Sequence, residues 1–146
     1  MSLVARLVYV STARPDLTKK DIESILDTAR ERNGRDNVTG LLVFDGISFM
    51  QLLEGEAEVI DAVFRDIAND NRHSNVVRIL QDENVPRQFK EWSMGYSMTH
   101  DPRMLKGDSW FPLTSKLLDK ALPANADSTV RSLFTSFLSV DELTRA

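Results

Sequence analysis

Gln51 is the residue most suggestive of chemistry, because it is a lone primary amide inside an apolar run. The run is Phe49-Met50-Gln51-Leu52-Leu53, and strand alternation places Phe49, Gln51 and Leu53 on one face. A buried amide without a partner loses about 1–3 kcal/mol of hydrogen bonding to water. We therefore expect a polar partner for Gln51 inside the fold.

Tyr9 is the candidate partner, since the first predicted strand places it on one face with Leu7. Tyr9 and Gln51 each share a face with bulky apolar residues, so both are expected to point toward the same layer and to meet. A primary amide offers an acceptor and two donors, and its rotation reverses what it offers a hydroxyl. A structural alternative stays open, in which Tyr9 is a core aromatic and Gln51 only satisfies its hydroxyl.

Asn33 is a further candidate at the end of the first predicted helix. Beside Gly34 it is typical of a helix C-cap. If the helices border a groove over the sheet, Asn33 instead becomes the polar end of an apolar slot that includes Ile25. Such a slot would suit a planar ring with polar edges.

Two pairs of residues lie further along the chain. Arg72 and His73 follow the second predicted helix, where cations complement the helix dipole and could equally bind the phosphates of a cofactor tail. Trp92 and Met94 share a face of the last predicted strand, where core packing is a sufficient explanation.

The elements that position these residues follow from the apolar periodicity. The first helix is expected to begin at Thr18, with Asp21 completing a capping box, and to end at Asn33-Gly34. A hairpin turn is expected at Asp45-Gly46. The other elements are strands at 3–10, 38–44, 76–80 and 92–98, the strand that holds Gln51, and a second helix from Gly55 to Asn69. The order βαββαββ predicts an α+β, ferredoxin-like fold with a five-stranded mixed sheet and two helices on one face.

Residues 99–146 are predicted to form a helical extension, and residues 1–98 the main domain. Two helices are expected at about 113–122 and 126–140. The second carries an apolar stripe that includes Val130, Phe134 and Phe137. We expect this C-terminal helical cap to cover the sheet face that bears Met50 and Leu52.

Composition narrows the classes of function. The 146 residues carry a formal net charge of -4 with scattered Lys and Arg, which argues against nucleic acid as a partner. No uncharged apolar stretch reaches the roughly 18–20 residues that span a bilayer, so no membrane partner and a cytoplasmic location are expected. The chain has no cysteine and two histidines, which excludes cysteinyl adducts and argues against a metal site.

Several motifs, in order, resemble the BLUF domain of blue-light sensors using flavin. They are Arg6–Ser11, Ala29–Asn33, Val38–Leu42, Phe49–Gly55, Asn71–His73 and Trp92–Met94. The resemblance covers about residues 3–98 and is specific, because separate motifs recur in the right order. One departure is Asn37, which has no assigned ligand role.

The resemblance implies a role for each matched residue. Tyr9 is implied as the electron and proton donor to excited flavin, and Gln51 as the amide that bridges it to the N5 and O4 edge of the ring. Asn33 is implied at the pyrimidine edge, with Arg72 and His73 at the phosphate tail or against the ring. The implied flavin-binding set is Tyr9, Ile25, Asn33, Thr39, Phe49, Gln51, Leu53, Arg72 and His73.

The resemblance also implies how the protein signals. Trp92 and Met94 occupy fifth-strand positions that exchange places or change hydrogen bonding when light reorders the glutamine. The implied cofactor is FAD, with FMN or riboflavin as alternatives. The protein is expected to belong to the short single-domain subclass, to form a homo-oligomer and to have no enzymatic activity. It is expected to act on a separate signalling protein through residues 94–110 and the terminal helices.

Two other functions stay open. A small flavin-dependent reductase or an acylphosphatase-like hydrolase could use such a sheet, although the chain offers no nucleophile elbow or phosphate-binding glycine loop. A protein-interaction module without cofactor would make all these polar residues structural. The colour of the purified protein separates a flavoprotein from that module.

Overall fold

The computed structural model describes residues 3–44, 47–89, 95–98, 110–112 and 128–145. Its elements, in chain order, are β1 (Leu3–Ala13), α1 (Lys19–Asp36), β2 (Thr39–Phe44), β3 (Ser48–Gly55), α2 (Ala57–Ala68), β4 (His73–Pro86), β5 (Gly95–Met98), β6 (Trp110–Pro112) and α3 (Ser128–Arg145). The predicted α+β class is confirmed.

The strands form one sheet in the order β4-β1-β3-β2-β5-β6. The first four strands in this order pair with one another in antiparallel fashion. Strand β5 runs parallel to β2, and β6 runs parallel to β5. The sheet therefore has six strands instead of the predicted five. The sixth, Trp110–Pro112, has only three residues and ends in proline, so it carries no periodic signal.

Side chains alternate between two buried layers. On one side, called the cavity face, Leu7, Tyr9 and Phe49 pack with residues of both α1 and α2. On the other, called the back face, Val8, Met50 and other strand residues pack with α3. The back-face cluster comprises Val8, Leu41, Val43, Met50, Leu52, Phe89, Val130 and Phe134. The helix pair α1 and α2 thus covers the face that bears Tyr9.

Helix α1 begins as predicted and ends later. Thr18 Oγ1 accepts a hydrogen bond from the Asp21 backbone N–H at 3.1 Å, and Asp21 Oδ2 accepts one from the Thr18 N–H at 2.9 Å. The helix continues through Gly34 to Asp36, and its C-cap is Asn37, with φ 57°. The predicted end at Asn33-Gly34 was wrong, because Asn also tolerates the left-handed conformation and takes the capping position here.

Strand β4 is the element whose length differs most from the prediction. It spans His73–Pro86, whereas the apolar run predicted only 76–80. The extra length lies at the edge of the sheet, where one face of exposed polar residues hides the strand pattern. Its pairing with β1 contains register shifts, and Asn75 and Asn84 have positive φ.

Other predictions concern the ends of strands and the C-terminal region. Phe44 pairs with Phe49 in the β2–β3 register, while the predicted turn at Asp45-Gly46 lies outside the described residues. So do the predicted helix at 113–122 and residues 92–94. The helix predicted at 126–140 is observed at Ser128–Arg145. Among the described helices, none combines the length and the apolar character needed to cross a bilayer.

Candidate functional site

Tyr9 and Gln51 form a buried hydrogen-bonded pair. They lie directly opposite each other in the β1–β3 register, and the Tyr9 hydroxyl donates to Gln51 Oε1 at 2.5 Å. Their exposed fractions are 3% and 4%. The prediction that these two side chains meet is confirmed.

The environment keeps Tyr9 protonated and fixes its ring. Burial raises the pKa of Tyr9 well above its ordinary value of 10.0, with a smaller opposing effect from Arg32. The Tyr9 ring lies 5.8 Å from the Phe64 ring and 6.2 Å, edge to face, from the His73 ring, measured between centroids. The hydroxyl is therefore held as a donor toward the amide.

A cavity of about 240 Å³ adjoins this pair, between the cavity face of the sheet and helices α1 and α2. Its lining residues are Tyr9, Ile25, Thr28, Ala29, Arg32, Leu42, Phe49, Gln51, Asp66, Ile67, Asp70, Arg72 and His73. Six of the residues predicted from sequence are in this set, namely Tyr9, Ile25, Phe49, Gln51, Arg72 and His73.

Three predicted residues do not line the cavity. Asn33 is buried in α1, and its Oδ1 accepts from Arg32 Nε at 3.4 Å. Leu53 belongs to the apolar core of the cavity face. Thr39 lies on the back face, where its hydroxyl bonds to Glu54. Trp92 and Met94 lie outside the described residues.

The sequence interpretation missed several lining residues, and a signal for some of them was present. Ile25, Thr28, Ala29 and Arg32 follow the spacing i, i+3, i+4, i+7 and therefore share one face of α1. Thr28 and Arg32 are polar, so the apolar periodicity of α1 does not include them. Asp66 and Asp70 had no comparable signal, since acidic residues near a helix end are typical of a solvated surface.

His73 is oriented by two hydrogen bonds. Its Nε2 lies 2.6 Å from the Ile67 backbone oxygen, and its Nδ1 lies 2.8 Å from Ser11 Oγ. Because a carbonyl oxygen only accepts, Nε2 carries a proton and donates to Ile67. In the neutral ring Nδ1 then accepts from the Ser11 hydroxyl. The imidazole is thus fixed edge-on to Phe49, with the ring centroids 6.3 Å apart.

Charges of both signs border the cavity. Arg72 Nη2 lies 2.6 Å from Asp70 Oδ2, and the Arg72 backbone N–H also donates to Asp70 Oδ1 at 2.9 Å. The side-chain hydrogen bond from Arg72 is the main reason that the pKa of Asp70 is lowered. Arg32 and Asp66 also line the cavity, so its border carries two cationic and two anionic side chains.

These residues fit a flavin ring. Ile25, Leu42, Phe49 and Ile67 supply apolar walls, and the Gln51 amide supplies a polar group at one edge. The volume of about 240 Å³ is below the roughly 300–1,000 Å³ typical of pockets that enclose a whole drug-sized ligand. It suits the planar ring system of a flavin, and Arg32 and Arg72 at the border could hold a phosphate tail. Within the described ranges, no group of three or more potential metal ligands occurs.

Relatives of known description match part of the chain. The blue light- and temperature-regulated antirepressor BluF of Escherichia coli (strain K12) is 39% identical over 92 residues, which are 63% of this chain and 23% of that protein. Photoactivated adenylate cyclase subunit beta of Euglena longa is 30% identical over an alignment of 97 residues that covers 64% of this chain and 11% of that subunit. The chain thus spans less than a quarter of the length of these curated relatives.

Solved structures show the same similarity. The dark state of the BLUF protein BlrB is 32% identical with a TM-score of 0.64, covering 68% of this chain and 75% of that chain. Klebsiella pneumoniae BlrP1, solved with FMN and cyclic diGMP, is 26% identical with a TM-score of 0.74, covering 93% of this chain and 34% of that chain.

The family model described as sensors of blue-light using FAD matches residues 4–95, more than half of the chain. Every cavity-lining residue falls within that range. BLUF domains bind a flavin, FAD, as the chromophore through which they sense blue light. The chain therefore belongs to the BLUF family of flavin-based blue-light sensors.

Proposed function

We propose that this chain is a blue-light photoreceptor whose switch is the pair Tyr9 and Gln51. The observation that carries the proposal is the 2.5 Å bond from the Tyr9 hydroxyl to Gln51 Oε1 at the wall of a cavity suited to a flavin ring. The amide presents its carbonyl oxygen to Tyr9, so its NH₂ group lies in the same plane and points in a different direction from that oxygen. Both sides of this amide can therefore take part in the switch.

The proposed photocycle rearranges the hydrogen bonds of Gln51 and would leave the flavin chemically unchanged. A bound flavin supplies blue-light absorption and, when excited, the capacity to accept an electron. Tyr9 gives up an electron and its hydroxyl proton and then recovers both. While the hydroxyl proton is away, Gln51 Oε1 loses its donor, and the amide can rotate or tautomerise into a second arrangement that would strengthen its bonding to the carbonyl edge of a bound flavin. The second arrangement is the signalling state.

The remaining lining residues would bind the flavin. Ile25 and Phe49 would cover the ring, His73 would fix its edge, and Arg72 would attract the phosphate tail. The roles of Asn33 and Leu53 as flavin ligands stay predictions, whereas Thr39 bonds to Glu54 on the back face, away from the cavity, and is not proposed as a ligand. FAD is the chromophore of the family, and FMN or riboflavin remain alternatives for this chain because the cavity suits the ring common to all three.

The output is proposed to be a separate signalling protein. The antirepressor BluF and the photoactivated cyclases share the matched region and little of their length with this chain, which supports a sensor role without enzymatic activity for that region. We propose a ferredoxin-like sensor at residues 1–98 and an extension at 99–146 that covers the back face and passes on the signal. Trp92 and Met94 as responding residues, the cytoplasmic location and the homo-oligomer stay predictions.

The test is the absorption spectrum of the purified protein, loaded with FAD, before, during and after blue illumination. We expect a red-shifted spectrum that returns in the dark, and its loss in Tyr9→Phe, which removes only the hydroxyl. The same substitution at the other tyrosine, Tyr96→Phe, is the matched control. A persistent shift in Tyr9→Phe would overturn the switch. A colourless folded protein that takes up no FAD would support the interaction module. A bound flavin that NADH reduces with turnover would support the reductase.

A further inference from the structure

Glu54 is a fully buried carboxylate on the back face of β3, the strand that carries Gln51 on the cavity face. Its Oε2 accepts from the Gln88 backbone N–H at 2.6 Å. Its Oε1 accepts from the Phe89 backbone N–H at 2.7 Å and from the Thr39 hydroxyl at 3.0 Å. These bonds tie the end of β3 to the segment that follows β4.

Arg87 extends the group. Its Nη1 donates to Thr39 Oγ1 at 2.7 Å and to the Glu54 backbone oxygen at 3.3 Å. Because the Thr39 hydroxyl accepts from the guanidinium, its proton is directed to the Glu54 carboxylate. We call Glu54, Thr39, Arg87 and the Gln88 and Phe89 amides the Glu54 cluster. The Thr39 hydroxyl and the two backbone amides donate to the carboxylate, and Arg87 donates to Thr39 and to the Glu54 backbone oxygen. Three donors directed at the carboxylate suit the ionised acid.

The Glu54 cluster joins two parts of the molecule that apolar packing also brings together. Phe89 is buried in the back-face cluster with Met50 and Leu52 of β3 and with Val130 and Phe134 of α3. Gln88 and Phe89 also precede the stretch that contains β5 in the chain. Residues 88–89 therefore contact both the end of β3 and the apolar cluster that includes α3.

We propose that Glu54 is a positioning residue that couples the state of Gln51 to residues 88–89 and, through Phe89, to α3. This inference rests on the proposed function. Short hydrogen bonds from backbone amides to a charged acceptor are directional, so a shift of β3 displaces the amides, whereas apolar contacts alone slide. A switch acts only through contacts that differ between its two states, and the Glu54 cluster supplies such a contact outside the cavity.

The decisive variant is Glu54→Gln in the full chain loaded with FAD. The substituted amide keeps a carbonyl oxygen for Phe89 and Thr39 but places an NH₂ group against the Gln88 N–H. Glu83→Gln, the same change at an exposed position of β4, is the matched control. Amide hydrogen exchange at residues 88, 89 and 128–145, in the dark and under blue light, reports the coupling, and the absorption spectrum reports the switch.

In the unaltered chain and in Glu83→Gln, we expect blue light to change exchange at residues 88 and 89 and in α3. In Glu54→Gln we expect the reversible spectral shift to persist and dark exchange of the Gln88 amide to rise about tenfold, since a charged acceptor is lost. The light-dependent difference in α3 should disappear. A light response of α3 within about twofold of the unaltered chain, with the spectral shift intact, would overturn the coupling.

Two further measurements keep the outcomes distinct. Absence of a spectral shift in the unaltered chain would overturn the proposed function, whatever Glu54 does. If Glu54→Gln does not fold, Thr39→Val takes its place. It removes the hydroxyl bond to the carboxylate and the acceptor of Arg87 Nη1, and Thr39→Ser, which keeps the hydroxyl, should restore the behaviour of the unaltered chain. A normal α3 response in Thr39→Val would then overturn the proposal.

Discussion

The two polar side chains buried in β3 differ in how their hydrogen bonds are arranged. Gln51 is neutral, lies on the cavity face and bonds to one tyrosine at the wall of a cavity of about 240 Å³. Glu54, three residues on, is an acid on the back face whose two oxygens accept three hydrogen bonds inside a packed core. One strand thus carries both groups at similar burial.

The difference separates a group that can change its bonds from one that holds them. An amide both donates and accepts, so a rotated Gln51 can still form hydrogen bonds through both its oxygen and its NH₂ group at the wall of a cavity. A carboxylate only accepts, and any rearrangement of Glu54 would leave backbone N–H groups unpaired in the core at a cost of about 1–3 kcal/mol each. The cavity face is therefore suited to switching and the back face to transmitting.

The largest effect on the light response, its complete loss, is expected from Gln51→Leu, which keeps the volume of the side chain and removes the amide. The protein should remain yellow and show no reversible light-induced shift in its absorption spectrum. Its free energy of unfolding should fall by about 1–3 kcal/mol, because the Tyr9 hydroxyl loses its buried acceptor. Gln81→Leu, at an exposed position of β4, is the control. A full spectral shift in Gln51→Leu would break the contrast between the two faces.

Glu54→Leu should act on stability instead of on the light response, and its effect on stability should exceed that of Gln51→Leu. Two backbone N–H groups, of Gln88 and Phe89, lose their acceptor inside the core. The free energy of unfolding, measured with urea, should fall by about 2–5 kcal/mol. Glu83→Leu should change it by less than about 0.5 kcal/mol, since that side chain is exposed. A loss below about 0.5 kcal/mol for Glu54→Leu would show that the cluster is not a fixed anchor.

Sequence alone predicted the cavity face better than the back face, for a physical reason. The strand period placed Tyr9 and Gln51 each on a face with bulky apolar residues, which predicted that both point toward the same layer and meet. The observed 2.5 Å hydrogen bond agrees with that prediction. The helical period likewise placed Ile25 beside the cavity. Both inferences use local alternation, which a single sequence contains.

The Glu54 cluster depends on contacts that local patterns do not contain. Glu54 and the Gln88 amide are separated by 34 residues and meet because β3 and the end of β4 both flank β1. The turn-like Pro86-Arg87 gave no indication that the next two amides bind a carboxylate. Thr39 was assigned to the flavin by resemblance, and it lies on the opposite face because strand alternation from Leu42 puts it with Leu41.

The pH dependence of stability should also reveal Glu54. Burial raises the pKa of Glu54 above its ordinary 4.5 in the folded chain, so the folded state keeps this proton to higher pH than the unfolded state. The contribution of Glu54 to stability should therefore decline as pH rises from about 4.5 through the folded pKa, and then level off. Urea unfolding of the unaltered chain and of Glu54→Gln across this window measures the difference. A difference that grows with pH would contradict the prediction.

Asp70 should give the smallest effect, with the opposite sign. Hydrogen bonds from Arg72 lower the pKa of Asp70 below its ordinary 3.8, so its stabilising contribution is present above 3.8 and is lost as pH falls through the folded pKa. The Arg72 and Asp70 side chains are 24% and 28% exposed, which limits the contribution to below about 1 kcal/mol. Asp70→Asn should lower the free energy of unfolding by that amount at neutral pH, and less at high salt.

Because Asp70 and Glu54 titrate in separate pH windows with opposite slopes, a single pH series on both variants separates the border of the cavity from the back face. An Asp70→Asn loss that persists unchanged at the acid end would assign it to packing instead of the ion pair.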